Sequence, residues 1–600
     1  MLVAGLLLAC VAVTALWYRR HSPGCLDGPS GMQICATSDL LKLPSHGRVP
    51  DEGPDFELAS GVVLRAVRGE TVAFQTVFVH RGDAVQTRLS VEGLEGLHVE
   101  RFLALYHWAD PAGYEWGTPS EVLPWPDWYP DALVPFERRC PTPQTLVESF
   151  PVPGAHGYNR AVWIDVFVPQ GTPVGEYRGE IVVDAGGREV RAPLTVVVVD
   201  AALPETPTVD AVAELYDAYV QEGIGAELGA PGWSAMSQCY QQLAHAHRVT
   251  FIERFNGWVG PDPNEARTGT EWDAYDEAFG PVLTGKLFTP EAGYVGPGVG
   301  VAPPVWRTPW PQVYSGSAQP LPEGALDSYA FRARAWAAHA KAQGWESDWF
   351  AYIYDEVDGK TDEGADADPQ LWHAEMKAVQ GALDDGAGAG TIDLIWTSHA
   401  DAAQWVGTDD DLVGTIRHWA PNAGAANTGF LAQRAAAGER VWFYHEGHPH
   451  VGLHTINAAG WEMATWGLIA ARYDLSGTFL WAGNLGDPEN PYVKPSYKSG
   501  DDRFGNGTIV YPGGMLDIAP NVDLSRSPGP LPSIRLKNWR RGLQDAEILK
   551  LAGKQGAPLI ASHIPEALAN VPDGTAARWP SDVEAWHRFR RDLLDIVAPR

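Results

Sequence analysis

Hydrophobic and polar positions change their rhythm three times along the chain. Leu2 to Trp17 is an almost unbroken apolar run. From about Phe56 to Val199, apolar and polar residues alternate in short segments separated by turns: Gly61–Val67, Thr71–Val79, Ala161–Val168 and Ala192–Val199. A period of two buries one face of each strand, and such strands in series predict an antiparallel β-sandwich. After Pro204 and Pro207 the pattern becomes strand, helix, strand, helix. A helix is expected over Leu326–Gln343, with Asp327 or Ser328 capping its start and Gly344 its end, and it leads into a strand over Trp349–Tyr354. Further strands are expected at Thr250–Phe255, Ile392–Thr397, Val413–His418, Val441–Tyr444 and Thr478–Trp481, with helices at Leu371–Leu383 and Glu462–Ala471. This alternation predicts a (β/α)8 barrel, with a site at the C-terminal ends of its strands. The first and third strands leave no clear pattern, and Thr289–Gln319 reads as a loop over the barrel mouth.

From Ser533 the period is helical again, with Leu536, Trp539, Leu543, Ala546 and Leu549 on one face. A last stripe through Trp586, Phe589, Leu593, Leu594 and Val597 reads as packing. The expected fold class is a multidomain chain, all-β then α/β: an N-terminal β-sandwich, a TIM barrel and a helical C-terminal extension. The corresponding boundaries are 1–21 for a signal peptide or membrane anchor, 22–54 for a linker, 55–200 for the sandwich, 201–555 for the barrel and 556–600 for the tail.

Composition narrows the partners. A formal charge of −31, from 44 basic and 75 acidic side chains, repels phosphate backbones, so no nucleic acid is expected. The apolar segment before Arg19 is short for a membrane span and suits an export signal or anchor. The chain is therefore expected to be exported, whether periplasmic, secreted or held at the cell envelope. Membrane attachment is expected through that segment alone. Cys25 and Cys35 can pair in an oxidising compartment, and the scattered Cys140 and Cys239 lack metal-type spacing. The 25 Trp offer flat faces suited to sugar rings, or to a large aromatic core.

The candidate chemistry sits where the aromatic strand Trp349–Tyr354 ends in Asp355 and Glu356. Two crowded carboxyls at a strand end can be driven to different protonation states, as glycosidic cleavage requires. Four later strands end near aromatics with polar neighbours: Trp396 and His399, His418 and Trp419, Tyr444 and His445, Trp481 and Asn484. Together they predict a sugar-binding mouth. Glu446, just past the expected seventh strand, is an alternative nucleophile facing Glu356 in a two-carboxylate retaining mechanism. A carbohydrate-binding protein without turnover would use the same aromatics.

Other motifs fail on geometry. In His445-Glu446-Gly447-His448-Pro449-His450 the first two His are three apart and Pro449 opposes a helix, so no zinc site is expected. The acidic loop from Asp358 lacks calcium-hand spacing. Gly386-Ala387-Gly388-Ala389-Gly390 precedes a strand instead of following one, so it is no dinucleotide loop, and no cofactor is expected.

Several stretches carry a family resemblance. They are Trp128-Tyr129-Pro130-Asp131-Ala132-Leu133, Val162-Trp163-Ile164-Asp165-Val166, Tyr354-Asp355-Glu356, Tyr511-Pro512-Gly513, Ser533-Ile534-Arg535-Leu536 and Arg541-Gly542-Leu543-Gln544-Asp545-Ala546-Glu547. In this order they resemble the bacterial domain-of-unknown-function family 4091, related to glycoside hydrolase family 123, the β-N-acetylgalactosaminidases. The likeness spans about residues 55–560. It implies an exo-acting enzyme on terminal 2-acetamido-2-deoxy-β-hexosides whose substrate supplies its own nucleophile. On that resemblance Asp355 orients the acetamido group and Glu356 is the acid, then the base. A glycan or glycoconjugate is then the substrate.

Overall fold

The computed structural model describes residues 24–598 apart from 110–125, 217–230, 255–271, 311–312, 315–320, 357–368, 446, 488–489, 495–503 and 520–523. The apolar segment 1–21, the acidic loop after Asp358 and Glu446 lie outside the described residues.

Two sheets build the N-terminal part. One has six strands in the spatial order Leu26–Asp27, Gln33–Ser38, Glu70–Val79, Asn159–Val168, His98–Ala109 and Asp127–Pro135, each antiparallel to its neighbours. The other has five, in the order Phe150–Val152, Val85–Gly93, Gly175–Ala185, Arg188–Ala202 and Val62–Arg68, with the last pair parallel. Alternate residues of both sheets, among them Phe74, Val162 and Ile164 from the first and Leu64, Leu89 and Ile181 from the second, meet in one hydrophobic cluster. Residues 22–54, expected to be a linker, are in part sheet. Gln33–Ser38 pairs with Glu70–Val79, and a Cys25–Cys35 disulfide fastens the preceding turn. That strand is six residues long with no alternation of apolar and polar positions, so no period marks it in the sequence, and its pairing with Glu70–Val79 shows it instead.

Eight parallel strands form the second part. In chain order they are Asp210–Tyr216, Thr250–Arg254, Val305–Arg307, Asp348–Ala351, Ile392–Ser398, His418–Pro421, Arg440–Tyr444 and Gly477–Leu480. Hydrogen bonding runs from the second strand through the first, eighth and seventh round to the third, so the barrel is closed except between strands two and three. Val212, Val305, Phe350, Tyr352, Ile395, Trp442, Tyr444 and Phe479 fill its interior, while helices such as Ala325–Gln343, Pro369–Ala387 and Gly460–Arg472 cover the outside.

Three expectations change here. The third strand, Val305–Arg307, lies inside the stretch read as a loop. The loop before it lies at the opposite end from the mouth, where the Gly298 amide donates to Glu205 and its carbonyl meets His245. A three-residue strand carries too few positions to show a period. The sixth strand begins at His418, not Val413. The helix 325–343 starts from Gly324 at φ 81° with no side-chain cap, although Gly344 does end it at φ 70°.

The helix Ile534–Ala552 joins the two parts. It crosses Gly460–Arg472 so closely that a Cβ on Gly542 would lie 2.1 Å from the Ala464 carbonyl oxygen, and one on Gly467 would lie 2.5 Å from that of Gly542. Its basic residues reach into the N-terminal sheet: Arg535 to Asp131 at 2.7 Å, Lys537 and Arg540 to Asp165 at 2.6 and 2.7 Å, and Arg541 to Asp39 at 2.8 Å. A second disulfide, Cys140–Cys239, ties the loop after Asp127–Pro135 to the barrel helix Trp233–Ala246. Residues 556–600 contain the helices Gly556–His563 and Val583–Val597.

Candidate active site

The fourth barrel strand breaks after Ala351 and resumes as Tyr354–Asp355 beside Val313–Tyr314. That break determines which groups enter the mouth. Tyr352 stays in the barrel interior and donates its hydroxyl to Asp355 Oδ1 at 2.7 Å. The next residue, Glu356, sits at φ 54°, a left-handed conformation that costs a branched-off side chain about 1 kcal/mol or more and persists where surrounding contacts impose it. Its amide donates to Thr397 Oγ1 at 3.4 Å. The turn lets two consecutive residues share one mouth, which a continuous strand forbids.

Two donors meet on a single oxygen of Glu356. The Tyr444 hydroxyl lies 2.5 Å and His399 Nε2 3.1 Å from Oε1. The Glu356 side chain keeps 36% of its surface exposed and His399 49%, so the group opens to solvent and to a ligand. Burial pushes the Glu356 carboxyl up, but the hydrogen bond and charge of His399 and the Tyr444 hydroxyl outweigh it, holding the group below its ordinary value. Burial, then the facing carboxylates, push the Tyr444 and Tyr352 hydroxyls well above theirs, so both are donors. Beneath them, Arg307 pairs with Glu214 at 2.6 Å inside the barrel and lies 5.4 Å from the Tyr352 ring centre.

The other residues expected at the mouth divide. Tyr444 and His399 reach it, but they hold Glu356. His445 lies beside it, with its ring centre 5.8 Å from that of Tyr444, 6.1 Å from Trp481 and 5.1 Å from His454. Trp481 is partly buried, its indole N–H 3.3 Å from Asn506. Trp396 and Trp419 point the other way. They stack edge to face at 5.5 Å in the layer between strands and helices, and the Trp419 N–H donates to Glu439. Strand alternation is the reason: Ile395 and Ala420, their chain neighbours, take the inward positions. His418 points inward but lies deep in the barrel, edge-on to Trp442 at 4.1 Å, and burial pushes it well below its ordinary value. Asn484 is spent on the backbone, accepting from Tyr216 N and donating to Tyr216 O. His448 pairs with Glu462 at 2.6 Å and His450 with Asp573 at 2.7 Å.

Sequence reasoning missed Tyr352, Thr397, Arg307 and Glu214. Tyr352 carried a usable signal, three residues before Asp355 in an aromatic run. Arg307 carried none, because its strand was not recognised.

Residues 396–552 match the family described as glycoside hydrolase 123, catalytic domain; Asp355 and Glu356 precede that segment. None of the curated proteins compared matches the chain. Among solved structures, a family 123 glycoside hydrolase from Clostridium perfringens, described in connection with glycolipid glycan hydrolysis, superposes with a TM-score of 0.60 at 11% identity, covering 94% of this chain and 97% of that one. Bacteroides uniformis β-glucuronidase 3 gives a TM-score of 0.28 at 8% identity, covering 87% of this chain and 52% of its own. A conserved exported protein from Bacteroides fragilis gives 0.28 at 11%, covering 47% and 71%. The chain thus resembles glycoside hydrolase family 123, in sequence over residues 396–552 and in fold along almost its whole length, a likeness that supports a glycoside hydrolase.

Proposed function

We propose that this chain hydrolyses terminal 2-acetamido-2-deoxy-β-hexosides by substrate-assisted, retaining catalysis, with Asp355 and Glu356 as its working pair. The observation that carries the reading is the placement of these two carboxyls in one mouth, each held by a tyrosine, at the C-terminal end of the fourth barrel strand. Asp355, oriented by Tyr352, accepts the acetamido N–H and stabilises the positive charge as the acetamido oxygen attacks the anomeric carbon. The attacking oxygen is already part of the substrate, so the closure is intramolecular and only one further group is needed. Glu356 protonates the departing oxygen and then takes a proton from the water that opens the ring. His445 and Trp481 flank the mouth as sugar contacts. We propose further that the two N-terminal sheets act as a β-sandwich buttress for the barrel. Two disulfides support export to an oxidising compartment.

The test is hydrolysis of aryl β-N-acetylgalactosaminide and β-N-acetylglucosaminide beside their 2-hydroxy counterparts, with wild type, Glu356→Gln, Asp355→Asn and Glu446→Gln. Turnover confined to acetamido sugars, lost by roughly 10²–10⁴-fold in Glu356→Gln and indifferent to Glu446→Gln, is the expected result. Turnover of 2-hydroxy sugars that requires Glu446 would replace this mechanism with a two-carboxylate one. Glycan binding without turnover would reduce the protein to a binder.

A further inference from the structure

The two oxygens of Glu356 are not equivalent. Oε1 receives both the Tyr444 hydroxyl and His399 Nε2, from the seventh strand and from the segment after the fifth. A carboxyl oxygen holding two donors has little capacity left to carry a proton of its own, because a proton there would face two others. We propose that Tyr444 and His399 are positioning residues that reserve Oε1 for the protein, that Oε2 is the oxygen that gives the proton to the leaving group, and that His399 shares this proton with Glu356 before delivery. The proposal rests on the assignment of Glu356 as the acid and adds to it the atom used and the group that stores the proton.

The proton count is the same in both forms of the pair. Either an imidazolium faces a carboxylate, or a neutral imidazole that keeps its Nε2–H on Oε1 faces a carboxyl protonated on Oε2; solvent carries the one exchanged proton between Nδ1 of the exposed ring and Oε2. In the reactive form the proton is on Oε2. Its O–H bond breaks as the glycosidic oxygen gains the proton, and the C1–O bond breaks with its electron pair passing to that oxygen. At the same time the acetamido carbonyl oxygen bonds to C1, giving an oxazolinium ion. In the second half water adds to C1, its proton returns to Oε2, and the amide is restored. Nothing is oxidised or reduced. With 49% of the His399 side chain and 36% of the Glu356 side chain exposed, both can exchange protons with solvent between turnovers.

The remaining ionisable groups facing this pair, among the described residues, are Asp355 and Tyr352 from the fourth strand, Tyr444 and His445 from the seventh, and the Glu214–Arg307 pair below. Glu214 and Arg307 neutralise each other, and both tyrosines keep their protons well above neutral pH. The proton whose loss sets the alkaline limb of activity is, on this proposal, that of the His399–Glu356 pair, whose Nε2 and Oε1 lie 3.1 Å apart. A pair holds its last proton to higher pH than the carboxyl does alone.

The experiment is the pH dependence of kcat/KM on aryl β-N-acetylgalactosaminides with good and poor leaving groups, for wild type, His399→Asn, Tyr444→Phe and Glu356→Gln. In His399→Asn the alkaline limb moves to lower pH by about one unit or more. In Tyr444→Phe, which removes a donor from the carboxylate, it moves to higher pH. A role limited to structure moves neither limb. Unchanged limbs in both variants, with Glu356→Gln impaired on poor leaving groups, would overturn the proposal and leave the assignment of the acid intact. Full activity of Glu356→Gln on poor leaving groups would overturn the assignment itself. A readout independent of substrate is the imidazole NMR titration of His399, identified by its disappearance in His399→Asn. Its midpoint falls in Glu356→Gln if the two share a proton, and an unchanged midpoint would refute the sharing.

Discussion

At the scale of single residues, the barrel separates groups by a one-residue alternation. Trp396 and Ile395 are adjacent, yet one fills the helix layer and the other the barrel interior. Trp396→Ala is therefore expected to behave as a core truncation, lowering stability by about 3–5 kcal/mol in urea unfolding while leaving KM for sugar substrates unchanged. A selective rise in KM at unchanged stability would return Trp396 to the mouth. Arg307 makes the opposite point, a charge that serves its neighbours from inside. Arg307→Met takes away the buried cation that faces Glu214 at 2.6 Å, and is expected to cost about 3–5 kcal/mol by the same measurement. The Glu214→Gln, Arg307→Met double variant recovers much of that loss, because the carboxylate charge goes with its cation.

At the scale of elements, the helix 534–552 explains most of the stretches that carry the family resemblance. Asp131 of Trp128–Leu133 meets Arg535 of Ser533–Leu536, and Asp165 of Val162–Val166 meets Lys537 and Arg540. These residues join the two parts, and none of them faces the Asp355–Glu356 mouth. Arg535 also donates to the His454 and Gly505 carbonyls, so the same lock braces loops after the seventh and eighth strands beside the site. Burial acts to raise the Asp165 carboxyl, but Arg540 and Lys537 more than reverse it and hold it far below the usual carboxylate range. Its folded value is depressed, so its stabilisation is complete above the unfolded carboxyl value, near 4, and is lost as pH falls through the folded one. Asp165→Asn is thus expected to unfold more easily at pH 7. The gap from wild type should begin to narrow only below about pH 4 in a series of thermal melts. Gly542 is the other condition for this helix, since it lets two backbones approach. Gly542→Ala is expected to force the helices apart and cost about 1–3 kcal/mol, although alanine is the better helix former.

At the scale of the whole molecule, the Cys140–Cys239 disulfide closes a loop of 99 residues across the two parts. A cross-link of that span stabilises chiefly by restricting the unfolded chain, by about 2–4 kcal/mol. Cys140→Ser with Cys239→Ser is expected to melt at a lower temperature than wild type and to lose most of its sensitivity to added reductant. An equal melting temperature in oxidant would show that the helix 534–552 alone carries the junction.

What the chain determined by itself was whatever repeats locally. Period-two strands, the alternation of strand and helix, the amphipathic face from Leu536 to Leu549 and a strand ending in two carboxyls are all visible because each depends on residues a few positions apart. A barrel was expected from that alternation, with Tyr354–Asp355–Glu356 at a strand end, but the count that makes this strand the fourth came from Asp210–Tyr216 and Val305–Arg307, which only the structure supplied. Only the tertiary structure decided what depends on distant partners. The strand Val305–Arg307 exists because Asp348–Ala351 offers it an edge. The strand Gln33–Ser38 exists because Glu70–Val79 does. Which aromatics face the mouth was decided by where each strand begins, since a shift of one residue exchanges inside for outside. The identity of the donors on Glu356 was decided by closure of the barrel, which brings Tyr444 and His399, 88 and 43 positions away along the sequence, to within 2.5 and 3.1 Å of one oxygen.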